Sequence, residues 1–131
     1  MTGETHLPHI LANLDVQLRA GAYVLITRAT PDPDADAVAA ARINEAEGIT
    51  YVVTEDYARA RGEPPGFVAA WLTLKVHSAL NAVGLTAAVS GVLAERGIAC
   101  NIIAGHFHDH ILVPAARRDD AIAAIRSLRS A

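Results

Sequence analysis

The chain has 131 residues, of which 52% are hydrophobic and 19% charged, with a net charge of −3 and a pI near 6.0. That composition can bury a core, in one compact domain or two small units, and excludes a disordered chain. Lys and Arg form no run, and the pair Arg117-Arg118 is followed at once by Asp119-Asp120, so neither a nucleic acid nor an anionic membrane is the expected partner.

In chain order, "THLPHILANLDVQL" has apolar residues at Ile10, Leu11 and Leu14, which predicts a short helix after Pro8. "AYVLITRA" (22–29) is apolar, rich in β-formers and bounded by Gly21, which predicts a buried strand. "TPDPDAD" is a loop in which Asp34 or Asp36 can cap a helix over "ADAVAAARINEAEG", ending at Gly48. "ITYVVT" is the next strand, "EDYARARG" a short helix or turn closed by Gly62, and "GEPPG" the clearest linker.

Beyond the linker, "FVAAWLTLKVHS" is a long strand. "NAVGLTAAVSGVLAERG" puts Leu85, Ala88, Val89, Val92 and Leu93 on one helical face. "IACNIIAG" and "HILVP" are strands around a turn near His106–Asp109, and "RDDAIAAIRSL" is an amphipathic helix with Asp119 and Asp120 at its positive end. The second half reads strand, helix, strand, strand, helix. The first half reads strand, helix, strand and linker. Both are α+β patterns, and their likeness suggests a duplicated or intertwined unit, with units over 1–62 and 63–131.

Several clusters raise chemical questions. In an extended "HFHDH", His106, His108 and His110 share one face and Asp109 takes the other. With His77 as a distant third ligand they suggest a metal site, but strand neighbours two apart are roughly 7 Å apart and converge poorly, so a polar turn is the plainer reading. Asp32, Asp34 and Asp36 match the first three ligand positions of a calcium loop, but Ala37 and Ile43 break the pattern. Ser78 follows His77 on a strand, where neighbours face opposite ways, and Cys100 lies among apolar residues, so nucleophilic catalysis is not expected. One cysteine excludes an intramolecular disulfide, and the absence of an apolar leader or span predicts a soluble, cytoplasmic protein. In "HSALNAVGLT", Gly84 precedes a helix. It serves either a tight packing turn or a ligand that approaches backbone N–H groups.

The stretch "WLTLKVHSALNAVGLTAAVSGVLAERGIACNIIAGHFHDHILVP" resembles ACT-domain proteins of a small bacterial group, with Ala79 where that pattern has serine. It is also similar to the arginine-sensing ACT proteins, through the stretch around Asp109. The resemblance implies a ferredoxin-like βαββαβ fold in two intertwined ACT-type units. It implies a non-catalytic regulatory protein that forms homodimers, needs no cofactor and binds a small molecule, an amino acid or a similar metabolite. Carried over by residue, the ligand loop is Val83, Gly84, Leu85 and Thr86, with Asp109 as the partner carboxylate and His77 and Ser78 beside them. The readings that compete with it are a metal-binding protein or metal-dependent enzyme built on His106, His108 and His110, and a dimerisation module without ligand.

Overall fold

The computed structural model describes residues 6–64, 66–76 and 84–130. They fall into two compact units: residues 1–19 with 70–131, and residues 20–69.

The first unit begins with helix α1 (Leu7–Ala12), whose proline stands in the first turn, where its missing N–H costs nothing. Strand β1 (Asp15–Arg28) starts in this unit. The predicted opening helix therefore ends earlier than "LDVQL": Leu14 and Val16 are core residues and the backbone is already extended at Asp15. Strand β4 (Ala69–Lys75), helix α4 (Leu85–Glu95), strands β5 (Asn101–Ala104) and β6 (Asp109–Pro114), and helix α5 (Arg118–Arg126) complete the unit. Its strands lie in the order β1-β4-β6-β5. This is a βαββα run whose sheet is completed by a strand from the N-terminal segment.

Period-2 burial builds the core. Ala70, Leu72 and Leu74 of β4 and Ile111 and Val113 of β6 turn to one face, where they meet Leu85, Val89 and Leu93, spaced four apart on α4. Ala121 and Ala124 of α5 are fully buried, and their small side chains let α5 pack against α4. Arg129 donates to the Leu14 carbonyl and pairs with Asp15 at 2.7 Å, so the C-terminal turn is tied to the start of β1.

In the second unit, strands β2 (Ala41–Glu45) and β3 (Gly48–Thr54) and the continuation of β1 lie in the order β2-β3-β1, all antiparallel. Helix α2 (Pro33–Val38) precedes the β2–β3 hairpin and α3 (Glu55–Ala60) follows it, and each touches β3. Val24, Ile26, Ala35, Ile49, Tyr51, Val53 and Ala58 form its core. The long helix predicted over residues 35–48 is not formed: α2 stops at Val38, and "ARINE" is a strand set against β3, with Ile43 opposite Thr50. That sequence has no strand periodicity of burial, since four of its five residues are exposed, so only pairing with β3 makes it a strand.

Asp32, not Asp34 or Asp36, caps α2. Its Oδ1 accepts from the N–H groups of Asp34 (3.0 Å) and Ala35 (3.2 Å), while Arg28 Nε donates to Oδ2 at 2.9 Å. The same Arg28 reaches Glu63 at 2.6 Å, and the Asp32 N–H donates to the buried Tyr51 hydroxyl. These bonds, led by the one from Ala35 and followed by the one from Arg28, hold the Asp32 carboxyl below its ordinary value of 3.8. A carboxyl depressed on folding contributes stability that is full above 3.8 and lost as pH falls through the lower folded value. The stability difference between wild type and Asp32→Asn is therefore expected to be constant from pH 7 to 5 and to shrink below pH 3.8, as read by urea midpoints. A difference that stayed unchanged into strong acid would detach the carboxylate from this role.

Candidate functional site

The predicted ligand loop straddles the described residues. His77, Ser78 and Val83 lie outside them; Gly84, Leu85 and Thr86 lie within. Gly84 is the N-cap of α4 at φ +103°, a left-handed conformation that glycine adopts without strain. Glycine offers no side-chain cap, so among the described residues no N-cap side chain takes up the first backbone donors of α4. A β-carbon on Gly84 would lie 2.8 Å from Leu7 Cδ2, so α1 packs directly against this turn. Leu85 is buried in the core and Thr86 is exposed.

Asp109 is the first residue of β6, paired with Ala104 across the β5–β6 hairpin. Two contacts fix the register of β6 against its neighbour β4. Thr73 Oγ1 lies 2.9 Å from His110 Nδ1, and Lys75 Nζ lies 3.3 Å from His108 Nε2. Moving two residues forward along β4 moves two residues back along β6, so the strands are antiparallel there and Asp109 stands at the end of β4 from which the chain leaves towards α4. Alternation then puts Asp109 on the same face as Ile111, the face covered by α4 and α5, and His110 on the other. Among the described residues Asp109 has no ion-pair partner, and no hydrogen bond or ion pair joins it to Gly84, Leu85 or Thr86.

The histidines divide. His106 and the 83% exposed Phe107 form the tip of the turn, outside any strand, with their rings edge to face at 5.0 Å. Only His108 and His110 keep the common face predicted for all three. Among the described residues no three His, Cys, Asp or Glu side chains gather as metal ligands, and His77, the third candidate, lies outside them.

Hydrogen bonds orient both rings. The Trp71 indole N–H donates to Thr73 Oγ1 at 3.2 Å, since an indole can only donate. Thr73 Oγ1 also shares a hydrogen bond with His110 Nδ1, in which either atom can donate, because a hydroxyl oxygen can accept from both rings. Partial burial first, then the neighbouring His108, Arg19 and Lys75, lowers the His110 pKa from its ordinary value of 6.5, against the opposing pull of Asp109. Burial thus favours the neutral form of His110. The Lys75 ammonium only donates, so His108 accepts at Nε2 and carries its proton on Nδ1, an atom that is buried and has no partner among the described residues.

Sequence reasoning missed the residues that surround His110. Gln17, Leu18 and Arg19 of β1 and Trp71 and Thr73 of β4 line an open groove of about 230 Å³ with it. The Arg19 guanidinium lies over the Trp71 ring at 5.3 Å, and the Trp71 and His110 rings are 5.0 Å apart. The available signal was the alternation Trp71, Thr73, Lys75 against Ala70, Leu72, Leu74, which sets polar or amphipathic groups on the face away from the core.

The comparisons with known proteins agree with this architecture. A family model described as ACT domain matches residues 66–127, and a second ACT-domain model matches residues 2–70. A crystal structure from Vibrio cholerae, of a protein of unknown function described as a possible transport protein, is 36% identical with a TM-score of 0.85, over 94% of this chain and 95% of that one. A protein from Agrobacterium tumefaciens shares the fold at 15% identity and a TM-score of 0.66, over 88% of this chain and 89% of that one. No curated protein matches the chain. Among the described residues no helix is long and apolar enough to cross a membrane.

Proposed function

Because the chain belongs to the ACT-domain family, with two ACT units, we propose that it is a non-catalytic regulatory protein that binds an amino acid at the entrance to α4. Domains of this family commonly bind small molecules and dimerise, and a homodimer that passes on ligand occupancy fits this reading. The ligand carboxylate would meet the N–H groups of Gly84, Leu85 and Thr86, where the helix dipole favours negative charge. The Asp109 carboxylate would take the ligand ammonium in a charge-assisted bond. Val83, His77 and Ser78 complete the loop in this proposal.

The observation that carries it is the antiparallel register of β4 and β6. It sets the half-buried Asp109 on the helix-covered face, at the sheet end from which α4 is reached. A cation acceptor and helix N–H donors without a side-chain cap at Gly84, at the same end of one unit, suit the two charged ends of a zwitterion. The arginine-sensing likeness is one candidate specificity among the proteinogenic amino acids.

Calorimetric titration of the full chain with each proteinogenic amino acid tests this. Selective binding of one or a few is expected, and Asp109→Ala should weaken it by about tenfold or more, the usual worth of a hydrogen bond to a charged group. Binding that Asp109→Ala leaves unchanged, or no amino acid binding at all, would remove the proposal.

A further inference from the structure

The entrance to α4 has a third wall, beside the helix N–H groups and Asp109, and it is apolar. Leu7, which opens α1, reaches the turn at Gly84. The place that a β-carbon would take on that glycine lies 2.8 Å from Leu7 Cδ2 and 3.7 Å from its Cδ1 and Cγ. Farther along the same segment, Ile10 and Leu14 enter the core that holds Leu85, and Leu11 packs against it. The half-buried Leu7 side chain is not part of that core among the described residues, so it stands at the helix entrance rather than inside the unit.

Two sets of contacts keep α1 in this place. Its inner face is anchored by Ile10, which is 1% exposed, and the helix touches both α4 and the C-terminal turn (Ser127–Ser130). At the junction with β1, Arg129 donates to the Leu14 carbonyl and pairs with Asp15, while Arg126 donates to the Val16 carbonyl at 3.3 Å. A helix of six residues is too short to persist by itself, so these contacts decide where Leu7 stands.

A zwitterion at this entrance spends its carboxylate on the N–H groups of Gly84, Leu85 and Thr86 and its ammonium on Asp109. The side chain on the same carbon is then the part left to distinguish one amino acid from another. Leu7 can offer it only dispersion contact and shelter from water. An aliphatic side chain gains from both, whereas a charged or strongly polar one would give up hydration without receiving a partner.

We propose that Leu7 is a specificity-determining residue of this site and that the ligand is an amino acid with an aliphatic side chain. The assignment rests on the reading of the α4 entrance as an amino-acid site.

The test is calorimetric titration of the full chain with leucine, isoleucine, valine, alanine, serine and aspartate. One of the first three is expected to bind at least about tenfold tighter than serine or aspartate. Leu7→Ala should reduce that preference by about tenfold. Alanine has the same two charged ends with a single methyl group, and should keep its affinity for the variant within about twofold. A variant that had lost its fold would lose alanine as well. Wild-type NMR then decides the point without any substitution, through the NOEs expected between the Leu7 methyl groups and those of the bound aliphatic ligand. Tightest binding of serine or aspartate, a ranking that survives Leu7→Ala, or the absence of those NOEs would each overturn the role of Leu7 while the amino-acid site stands. Asp109→Ala tests that site separately, because it should weaken the aliphatic ligand and alanine alike. If no amino acid binds, both readings fall.

Discussion

Leu72→Ala is expected to lower the unfolding free energy by about 2–5 kcal/mol, the range for truncating a buried leucine in a core that cannot close the hole. Leu72 is 0% exposed in the middle of β4, and its side chain belongs to the core shared by β6, α4 and α5. Strands flank it on both sides, since β4 lies between β1 and β6, so the backbone has little room to collapse into the cavity. Leu18→Ala is the control. It removes the same atoms from a side chain that is 40% exposed, and should cost well under half as much. Urea unfolding of the two variants reads the comparison, and equal losses would mean that β4 does not lie at the centre of this core.

Gly48→Ala is the second large effect. Gly48 opens β3 at φ +153°, and a β-carbon there would lie 2.9 Å from the Arg28 carbonyl oxygen. That oxygen belongs to backbone at the end of β1, whose ladder runs on to the pair Arg28 and Ile49. It cannot swing aside as the tip of a side chain can. Arg28 is also held by Asp32 and Glu63, so a displaced carbonyl would disturb the cap of α2. Backbone strain of about 1–3 kcal/mol is expected, with the displacement added to it. Gly62→Ala separates the two contributions, because Gly62 is also left-handed, at φ +70°, but has nothing within 4 Å of the added carbon. Gly62→Ala should therefore cost only the strain, about 1–2 kcal/mol. If the two variants lost the same stability, the close approach to Arg28 would have no energetic consequence.

The candidate site shows the limits of a local reading. The alternation of "HDH" does separate Asp109 from His108 and His110, because two residues per repeat is a local property of extended chain. The turn at His106 and Phe107 was legible, as the polar break between "IACNIIAG" and "HILVP". The alternation gives no sign that Thr73 and Lys75 face His110 and His108, 37 and 33 residues away. The groove was missed for the same reason: Arg19 and Trp71 meet only because β1 and β4 are neighbours.

By itself the sequence determined the α+β class, the positions of α3, α4 and α5, the β5–β6 hairpin, and the apolar faces that close the first unit's core. Each of these rests on spacing between near neighbours, such as Leu85, Val89 and Leu93, which hydrophobic burial reads directly. Only the tertiary structure decided that Asp15–Arg19 completes the first unit's sheet and that "ARINE" is a strand. It also decided that Asp109 and His110 serve opposite faces beside β4. Those outcomes depend on which backbone groups find partners across long stretches of chain, and a strand that borrows its hydrogen bonds from a distant neighbour carries little record of that neighbour in its own residues.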